Sequence, residues 1–494
     1  MEQLINKYKE LREKIAAYNY ALFLMFWDNE TETPKNGLDF QSKNLAVLLN
    51  ASYEISNSKE RQDLIVELYN NKDALEPYLK KEIEQEYKEL QETLLIPKNE
   101  YLDYRILTSK ASSIWAEAKS TNNFELFRPT LEQIVAYNIK FLKYLETPSL
   151  KGYDILLNKY EEGMNEESYD NFFNLLKEKL VPFVLEKTSK KYPYNKKITS
   201  SSYPFTLQKD FSYYLASVIG YDLNCGVIKE SVHPFTSGIA SVDTRVTTRF
   251  LPNRVDSNIF SSMHEMGHAI FDQQINPSFD GTSLHNVTNM GLHESQSRLF
   301  ENMIGRSFPF WETNYKALQD LFPKQLSKVS LNDFYNFINI PSRSLIRIEA
   351  DELTYSLHIM VRYEIEKQLM NGKLKVKDLP KTWNKLYKQY LGIKPSNDSL
   401  GVLQDIHWSG GSFGYFPTYA LGSAYSAQFY NSMDKDINVS LCIKNNDFKS
   451  IREWLKTNIH QYGAFKKPLD IIKDACNEEF NPNYYINYLI EKYK

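Results

Sequence analysis

One octapeptide constrains this chain more than any other stretch: Met263-His264-Glu265-Met266-Gly267-His268-Ala269-Ile270, with two histidines four residues apart inside an apolar run. Ile259, Met263, Met266 and Ile270 recur at helical spacing, and the break at Pro252 leaves Asp256 or Ser257 available as an N-cap, so a helix is predicted across the motif. On a helix, His264 and His268 lie one turn apart on one face, close enough for both imidazoles to bind a single zinc ion. Glu265 cannot share that direction, but it can reach a water beside the metal, where a general base for hydrolysis has to stand. With 8 histidines in 494 residues, the pattern arises by chance in roughly 0.02 of such chains, so a helix that merely carries two solvated or core histidines is the weaker explanation.

A two-histidine site needs a third protein ligand. The metzincin arrangement would require His at 274 and Gly at 271, but those positions hold Gln274 and Phe271. The other common arrangement takes a carboxylate from a downstream helix. Residues 288–301 suit such a helix, with Thr288 or Asn289 as cap and Gly305 as stop. Glu294 is the expected ligand; the competing explanation is a surface ion pair with Arg298 one turn on, and His293 and Glu301 are rival ligands.

The rest of the chain limits what such a site can serve. The formal charge, 59 − 62 = −3, gives no electrostatic case for a nucleic-acid partner. Cys225, Cys442 and Cys476 are scattered and include no C-x-x-C pair, which implies neither a disulfide framework nor a thiolate zinc site and favours a reducing compartment. No apolar run reaches transmembrane length, and the apolar stretch at 20–27 is too short and too late for an export signal, with no small-residue cleavage site after it. The expectation is a soluble, cytoplasmic protein with no membrane partner.

At 494 residues the chain could hold two or three average domains or one large helical unit with a deep cleft. Residues 1–200 read as helix after helix, Lys/Glu-rich and short of glycine, with apolar faces at Leu64, Leu68, Leu75, Tyr78, Leu79, Leu90, Leu94 and Leu95 and breaks at Pro77, Pro97, Pro129 and Pro148. All eight histidines lie between 233 and 460, and no repeat or flexible linker marks a boundary. We therefore expect one domain over 1–494, with 1–200 as a helical wall or lid and 201–494 carrying the chemistry. The one convincing strand is 241–250, rich in β-branched residues. Its edge could pair with an extended peptide, or it could be a plain structural hairpin.

Two later segments stand out. Residues 346–355 are expected to open a helix that runs to about Met370 with Arg347 near its start; a guanidinium there suits bidentate capture of a carboxylate, although an ion pair with Asp351 would explain it equally. Residues 401–419 combine glycines with His407, Tyr415 and Tyr419, a set that fits stabilisation of an oxyanion, or simply a turn between buried helices. The glycine spacing matches no phosphate-binding loop.

Taken in order, His233-Pro234-Phe235, Asp243-x-Arg245-x-Thr247-Thr248-Arg249, His264-Glu265-x-x-His268, His293-Glu294-Ser295-Gln296-Ser297-Arg298, Ile346-Arg347-x-x-Ala350-Asp351-Glu352-Leu353-Thr354-Tyr355 and Gly401-x-x-Gln404-Asp405-x-His407-Trp408 resemble the signature set of the thermostable zinc carboxypeptidases, the carboxypeptidase Taq family. The likeness extends into the first half through Trp27-Asp28, Trp115 with Ala118-Lys119, and Tyr153-Asp154-x-Leu156-Leu157 leading to Tyr160-Glu161. This resemblance implies a nearly all-α fold, akin to neurolysin and angiotensin-converting enzyme, with a long substrate groove and one small β-sheet near the zinc site. It also implies a homodimer that releases single residues from peptide C-termini with broad specificity. Carried onto this chain, His264, His268 and Glu294 would hold one zinc ion, or another divalent metal such as cobalt, with Glu265 as base. Arg347 would hold the terminal carboxylate, His407 and Tyr419 would support the tetrahedral intermediate, and Tyr415 and Arg245 are further candidate substrate contacts. Thr33-Pro34 stands where the family tends to have Met-Pro, and Phe250 where it has Tyr. The alternatives are an oligoendopeptidase or dipeptidase on the same site, and a metal-free peptide-binding scaffold. Retention of Glu265 argues against the scaffold, since a structural zinc needs ligands alone.

Overall fold

Long, glycine-poor segments of straight-chain residues lose little rotamer freedom as helix. In the computed structural model, which describes residues 1–287 and 289–494, the chain accordingly opens on a 30-residue helix, Glu2–Thr31. Pro77 takes the first position of the helix Pro77–Leu95, where its missing N–H costs nothing, and Pro97 directly precedes the helix Lys98–Ser120. Pro129 is different: it lies inside the helix Phe124–Leu145, so the expected break is absent. The buried face of that helix includes Phe124, Phe127, Leu131, Ile134 and Leu142. Each such side chain contributes about 1.5–3 kcal/mol on burial, more in sum than the roughly 3 kcal/mol a mid-helix proline costs.

Two buried apolar clusters hold the fold. The smaller joins Tyr8 of the first helix to Ile65, Leu68, Leu75, Leu79 and Ile83. The larger takes in residues from Ala111 to Leu489 and so includes helices on both sides of residue 200. Leu94 and Leu95, read as part of an apolar face, are exposed. No helix among the described residues is long and apolar enough to cross a membrane.

The sheet has three strands where the sequence showed one: β1 (Ile228–Glu230), β2 (Thr236–Ala240) and β3 (Asp243–Thr248), in the order β1-β3-β2. β1 runs parallel to β3 with Ile228 opposite Val246; β2 runs antiparallel with Thr236 opposite Val246 and Ser237 opposite Arg245. The strand read from the sequence is therefore central, both its edges are covered, and the edge left free among the described residues next to the helix of the two-histidine motif belongs to β2.

The motif helix spans Val255–Gln274, starting one residue before the expected caps; Asp256 sits in its first turn, where a carboxylate favours the helix dipole. It packs on β2, β3 and the helix Met290–Arg298, which continues through a π-helical turn, Leu299–Ile304, to the stop expected at Gly305. The cap assigned to Thr288 lies outside the described residues, and Asn289 does not cap with its side chain. The helix expected from residue 346 begins later, as Glu352–Met370, with the Asp351 carboxylate accepting from the Leu353 and Thr354 amides. Arg347 occupies a separate 3-10 turn, Arg347–Glu349. The glycine-rich segment ends sooner than expected, since the helix Phe416–Ile437 puts Tyr419 on its first turn.

Candidate active site

The motif helix and the helix Met290–Arg298 bring His264, His268 and Glu294 together, with one donor atom from each lying within 4.8 Å of the others. Glu294 Oε2 is 3.3 Å from His268 Nε2 and 3.7 Å from His264 Nε2. Ligands on bonds of about 2.0–2.1 Å in a tetrahedron stand about 3.3–3.4 Å apart, close to the two Glu294 separations, so the trio could hold a single divalent metal ion. The ion pair that competed with the ligand role for Glu294 is also present: Arg298 Nε donates to Glu294 Oε1 at 2.7 Å, which leaves Oε2 for the histidines. Arg298 and the two histidines overcome the effect of burial and hold the Glu294 carboxyl well below the usual carboxylate range.

The rival ligands stand behind this trio. Glu301 Oε2 is 2.9 Å from His264 Nδ1, so the proton sits on Nδ1 and the Nε2 lone pair faces Glu294. His293 Nδ1 lies 2.6 Å from His268 Nδ1, while His293 Nε2 meets Asp272 Oδ1 at 2.9 Å. The Asp272 carboxylate can only accept, so His293 carries its proton on Nε2 and accepts at Nδ1 from His268 Nδ1–H. That chain leaves His268 Nε2 free as a ligand. Burial and His293 push the His268 pKa down to about 4, keeping it neutral as a ligand must be. Around His264, burial is outweighed by Glu294, Glu301 and Glu265, which raise its pKa: these surroundings favour positive charge.

Glu265 is buried, and burial raises its carboxyl above the ordinary range, as suits a base working near neutral pH. The Thr236 hydroxyl, on β2, lies 2.8 Å from both the carbonyl oxygen and Oε2 of Glu265. This contact orients the carboxylate and leaves Oε1 without a protein donor among the described residues. Sequence reasoning missed Thr236 because β2, five residues with a glycine in the middle, has no alternating pattern.

Three glycines allow the close approach around Glu294. A Cβ on Gly422, in the helix Phe416–Ile437, would stand 2.6 Å from Glu294 Cγ; one on Gly267 would stand 2.8 Å from the Gln296 carbonyl oxygen; one on Gly291 would stand 3.0 Å from Glu161 Cδ.

A second group of side chains lies alongside. His407 Nε2 is 3.3 Å from the Tyr419 hydroxyl, the Tyr415 and Tyr419 rings are 5.2 Å apart, and the Arg347 guanidinium lies 5.0 Å from the Tyr419 ring centre. Arg347 is buried and pairs with Asp405 through Nε and Nη2, both at 3.0 Å, not with Asp351. Asp405 is shared with the fully buried Arg362, so two guanidinium groups face one carboxylate and the cluster is short of negative charge. Burial and the Arg347 charge hold the His407 pKa down at about 4, so the ring is neutral at pH 7. Tyr355, which sequence reasoning did not single out, links the two groups: Arg298 lies 4.1 Å above its ring and Arg347 Nη1 is 3.4 Å from its hydroxyl. Arg245 is placed elsewhere. It pairs bidentately with Asp243 at 2.7 and 2.8 Å and lies over Phe23 and Trp27 of the first helix, lining a cavity of about 480 Å³ with Asp28, Glu32 and Lys229.

Residues 7–493 match the family described as carboxypeptidase Taq (M32) metallopeptidase. The chain is 42% identical to carboxypeptidase 1 of Bacillus subtilis over 488 residues, 98% of this chain and 97% of that one. It is 33% identical to thermostable carboxypeptidase 1 of Thermus thermophilus, over 95% of this chain and 94% of the other. Its fold superposes on the crystal structure of the M32 carboxypeptidase from Deinococcus radiodurans with a TM-score of 0.95, at 29% identity and 99% coverage of both chains.

Proposed function

The chain belongs to the carboxypeptidase Taq (M32) metallopeptidase family and is a metallocarboxypeptidase, and from that premise we propose that it uses one zinc ion, held by His264, His268 and Glu294, to release single residues from peptide C-termini with broad specificity. The observation that carries the reading is the adjacency of two groups: a divalent-metal donor set with a buried carboxylate beside it, and an arginine cluster lacking one negative charge, joined through Tyr355.

Zinc held there by His264, His268 and Glu294 would supply Lewis-acid polarisation of the scissile carbonyl and would make water easier to deprotonate near pH 7. Glu265 Oε1, the oxygen not engaged by Thr236, is the base that takes a proton from the attacking water and delivers it to the leaving amine. The Tyr419 hydroxyl donates to the developing oxyanion, a role typically worth about 3–4 kcal/mol, while neutral His407 supports it by donating from Nε2–H to the Tyr419 oxygen. Tyr415, packed against Tyr419, borders the same space. Arg347 presents its Nη1 edge to the terminal carboxylate, the only chemical mark that distinguishes a chain end. Arg245, tied to Asp243 and lying over Trp27 of the first helix, stays a candidate substrate contact on the family motif alone. In this reading residues 1–200, which hold no histidine, wall the substrate groove of a single domain, the three scattered cysteines suit the cytoplasm, and by the family resemblance the active form is a homodimer.

The decisive experiment compares a peptide carrying a free C-terminus with its amidated twin. The acid should be trimmed stepwise and the amide left nearly intact, because one charged hydrogen-bond partner is worth about 1.5–3 kcal/mol, or roughly ten- to a hundredfold in kcat/KM. Arg347→Ala should impose a similar loss on the acid and almost none on the amide. Equal cleavage of both peptides, or internal cuts, would replace this reading with the endopeptidase one.

A further inference from the structure

All the chemistry described so far comes from residues beyond 230, yet one buried acid from the first half reaches the metal site's supports. Glu161 follows the helix Tyr153–Tyr160 and is fully buried. Its Oε2 accepts from the Gly291 amide at 2.8 Å, at the start of the nine-residue helix that carries Glu294. The contact is reciprocal: the Glu162 amide donates to Asn289 Oδ1 at 3.0 Å. Asn289 is therefore committed to the Glu162 amide and gives that helix no side-chain cap of its own.

Among the described residues no lysine or arginine acts on Glu161; its carboxyl faces the Gly291 and Leu292 amides, and Oε1, like the nearby Tyr425 hydroxyl, has no hydrogen-bond partner. Gly291 is what lets the carboxyl group approach, since a Cβ there would stand 3.0 Å from Glu161 Cδ. On its other side the segment 160–162 touches the glycine-rich segment 401–419, where the Tyr160 and Tyr415 rings meet edge to face with centres 5.2 Å apart. A single tripeptide thus contacts both the ligand helix and the aromatic cluster.

We propose that Glu161 is a positioning residue for the metal: its buried carboxyl group clamps the first turn of the helix Met290–Arg298 and holds Glu294, one turn on, at the distance that His264 and His268 require. The physical reason is that a short helix whose first amides lack a side-chain cap frays from that end, and only Leu292 and His293 separate the clamp at Gly291 from the ligand. Burial pushes the Glu161 carboxyl up to about 8, so at neutral pH it acts mainly as a neutral acid, with Oε2 accepting from the Gly291 amide and Oε1, which has no hydrogen-bond partner among the described residues, left to carry the proton. A glutamine side chain keeps the acceptor for Gly291 and puts an uncharged amide where that proton sits. An aspartate, one methylene shorter, withdraws from Gly291.

The proposal rests on the assignment of His264, His268 and Glu294 as metal ligands, and its test separates the two. Zinc affinity is measured by competition with a chromophoric chelator, together with thermal unfolding of metal-free and zinc-loaded protein, for the wild type and for Glu161→Gln, Glu161→Asp, Glu161→Ala and His264→Ala. Glu161→Asp and Glu161→Ala should bind zinc roughly 10- to 100-fold more weakly, as expected when the support of a ligand is lost, and should lose much of the rise in Tm that zinc gives, while Glu161→Gln stays near the wild type. If Glu161→Ala fails to fold, the contrast between Asp and Gln decides. Wild-type zinc affinity in Glu161→Asp, with equal falls in Tm with and without zinc, would overturn the proposal and leave Glu161 a core residue only. Failure of His264→Ala to lose zinc would instead overturn the ligand assignment, and the proposal with it.

Discussion

Replacing Gly422 by alanine tests the metal site without touching a ligand. The new Cβ would stand 2.6 Å from Glu294 Cγ and 2.7 Å from its Cβ, whereas carbon atoms in contact settle at about 3.5–4.0 Å, so one of the two helices has to yield by about 1 Å. Metal sites tolerate about 0.2 Å in ligand position, so a shift of this size takes Glu294 out of range of an ion held by His264 and His268. Two effects on stability oppose each other. Alanine gains roughly 0.5–1 kcal/mol over glycine inside a helix, while overpacking a tight core costs about 1–3 kcal/mol. The variant should therefore fold with a modest net loss, and its zinc affinity should fall roughly 10- to 100-fold, the range seen when the support of a ligand is disturbed. The assay is chelator competition at fixed pH, with circular dichroism as the folding control. A folded Gly422→Ala protein with wild-type zinc affinity would refute the argument, showing either that the helices part at no cost or that Glu294 does not hold the metal.

Glu265→Gln keeps the side chain's shape and touches no ligand, so zinc should remain at full stoichiometry while turnover falls by at least about a hundredfold, as measured by single-turnover kinetics. His293→Ala and Asp272→Asn should keep one zinc per chain but bind it roughly 10- to 100-fold more weakly, because His268 loses the partner that fixes its tautomer; loss of the zinc outright in His293→Ala would make His293 a ligand. Burial raises the Glu366 carboxyl, which accepts from Trp408 Nε1, Tyr153 and the Gly414 amide, to about 7. The folded state therefore holds this proton more tightly than the unfolded chain, and stability should fall as pH rises from the ordinary carboxyl range through about 7. Urea midpoints across pH 5–8 should show that slope in the wild type and a flatter one in Glu366→Gln.

Local repetition carried the parts of this protein that the sequence determined. The 3.6-residue period and the one-turn spacing of His264 and His268 placed both imidazoles on one face of a helix, and the same logic located the helix of Glu294 and its stop at Gly305. Family resemblance then ordered the remaining motifs along the chain. Spacing alone left Glu294, His293 and Glu301 as competing ligands, since residues on neighbouring turns of one helix differ only in which neighbour they meet. Tertiary packing sets them apart: Glu294 faces the histidines because Gly422 and Gly267 let two other helices close on it, and His293 falls against His268 with Asp272 behind it. Arg347 gave no local sign that it pairs with Asp405, 58 residues on, rather than with Asp351, one turn away. The strands β1 and β2 are too short to show alternation, so the covered edges of β3 and the hold of Thr236 on Glu265 were invisible as well. Glu161 reaches Gly291 from 130 residues away. Periodicity reports which face of an element is apolar or reactive, because that is set by bonds along the chain; which other element comes to that face is set by the packing of the whole core, and no local pattern encodes it.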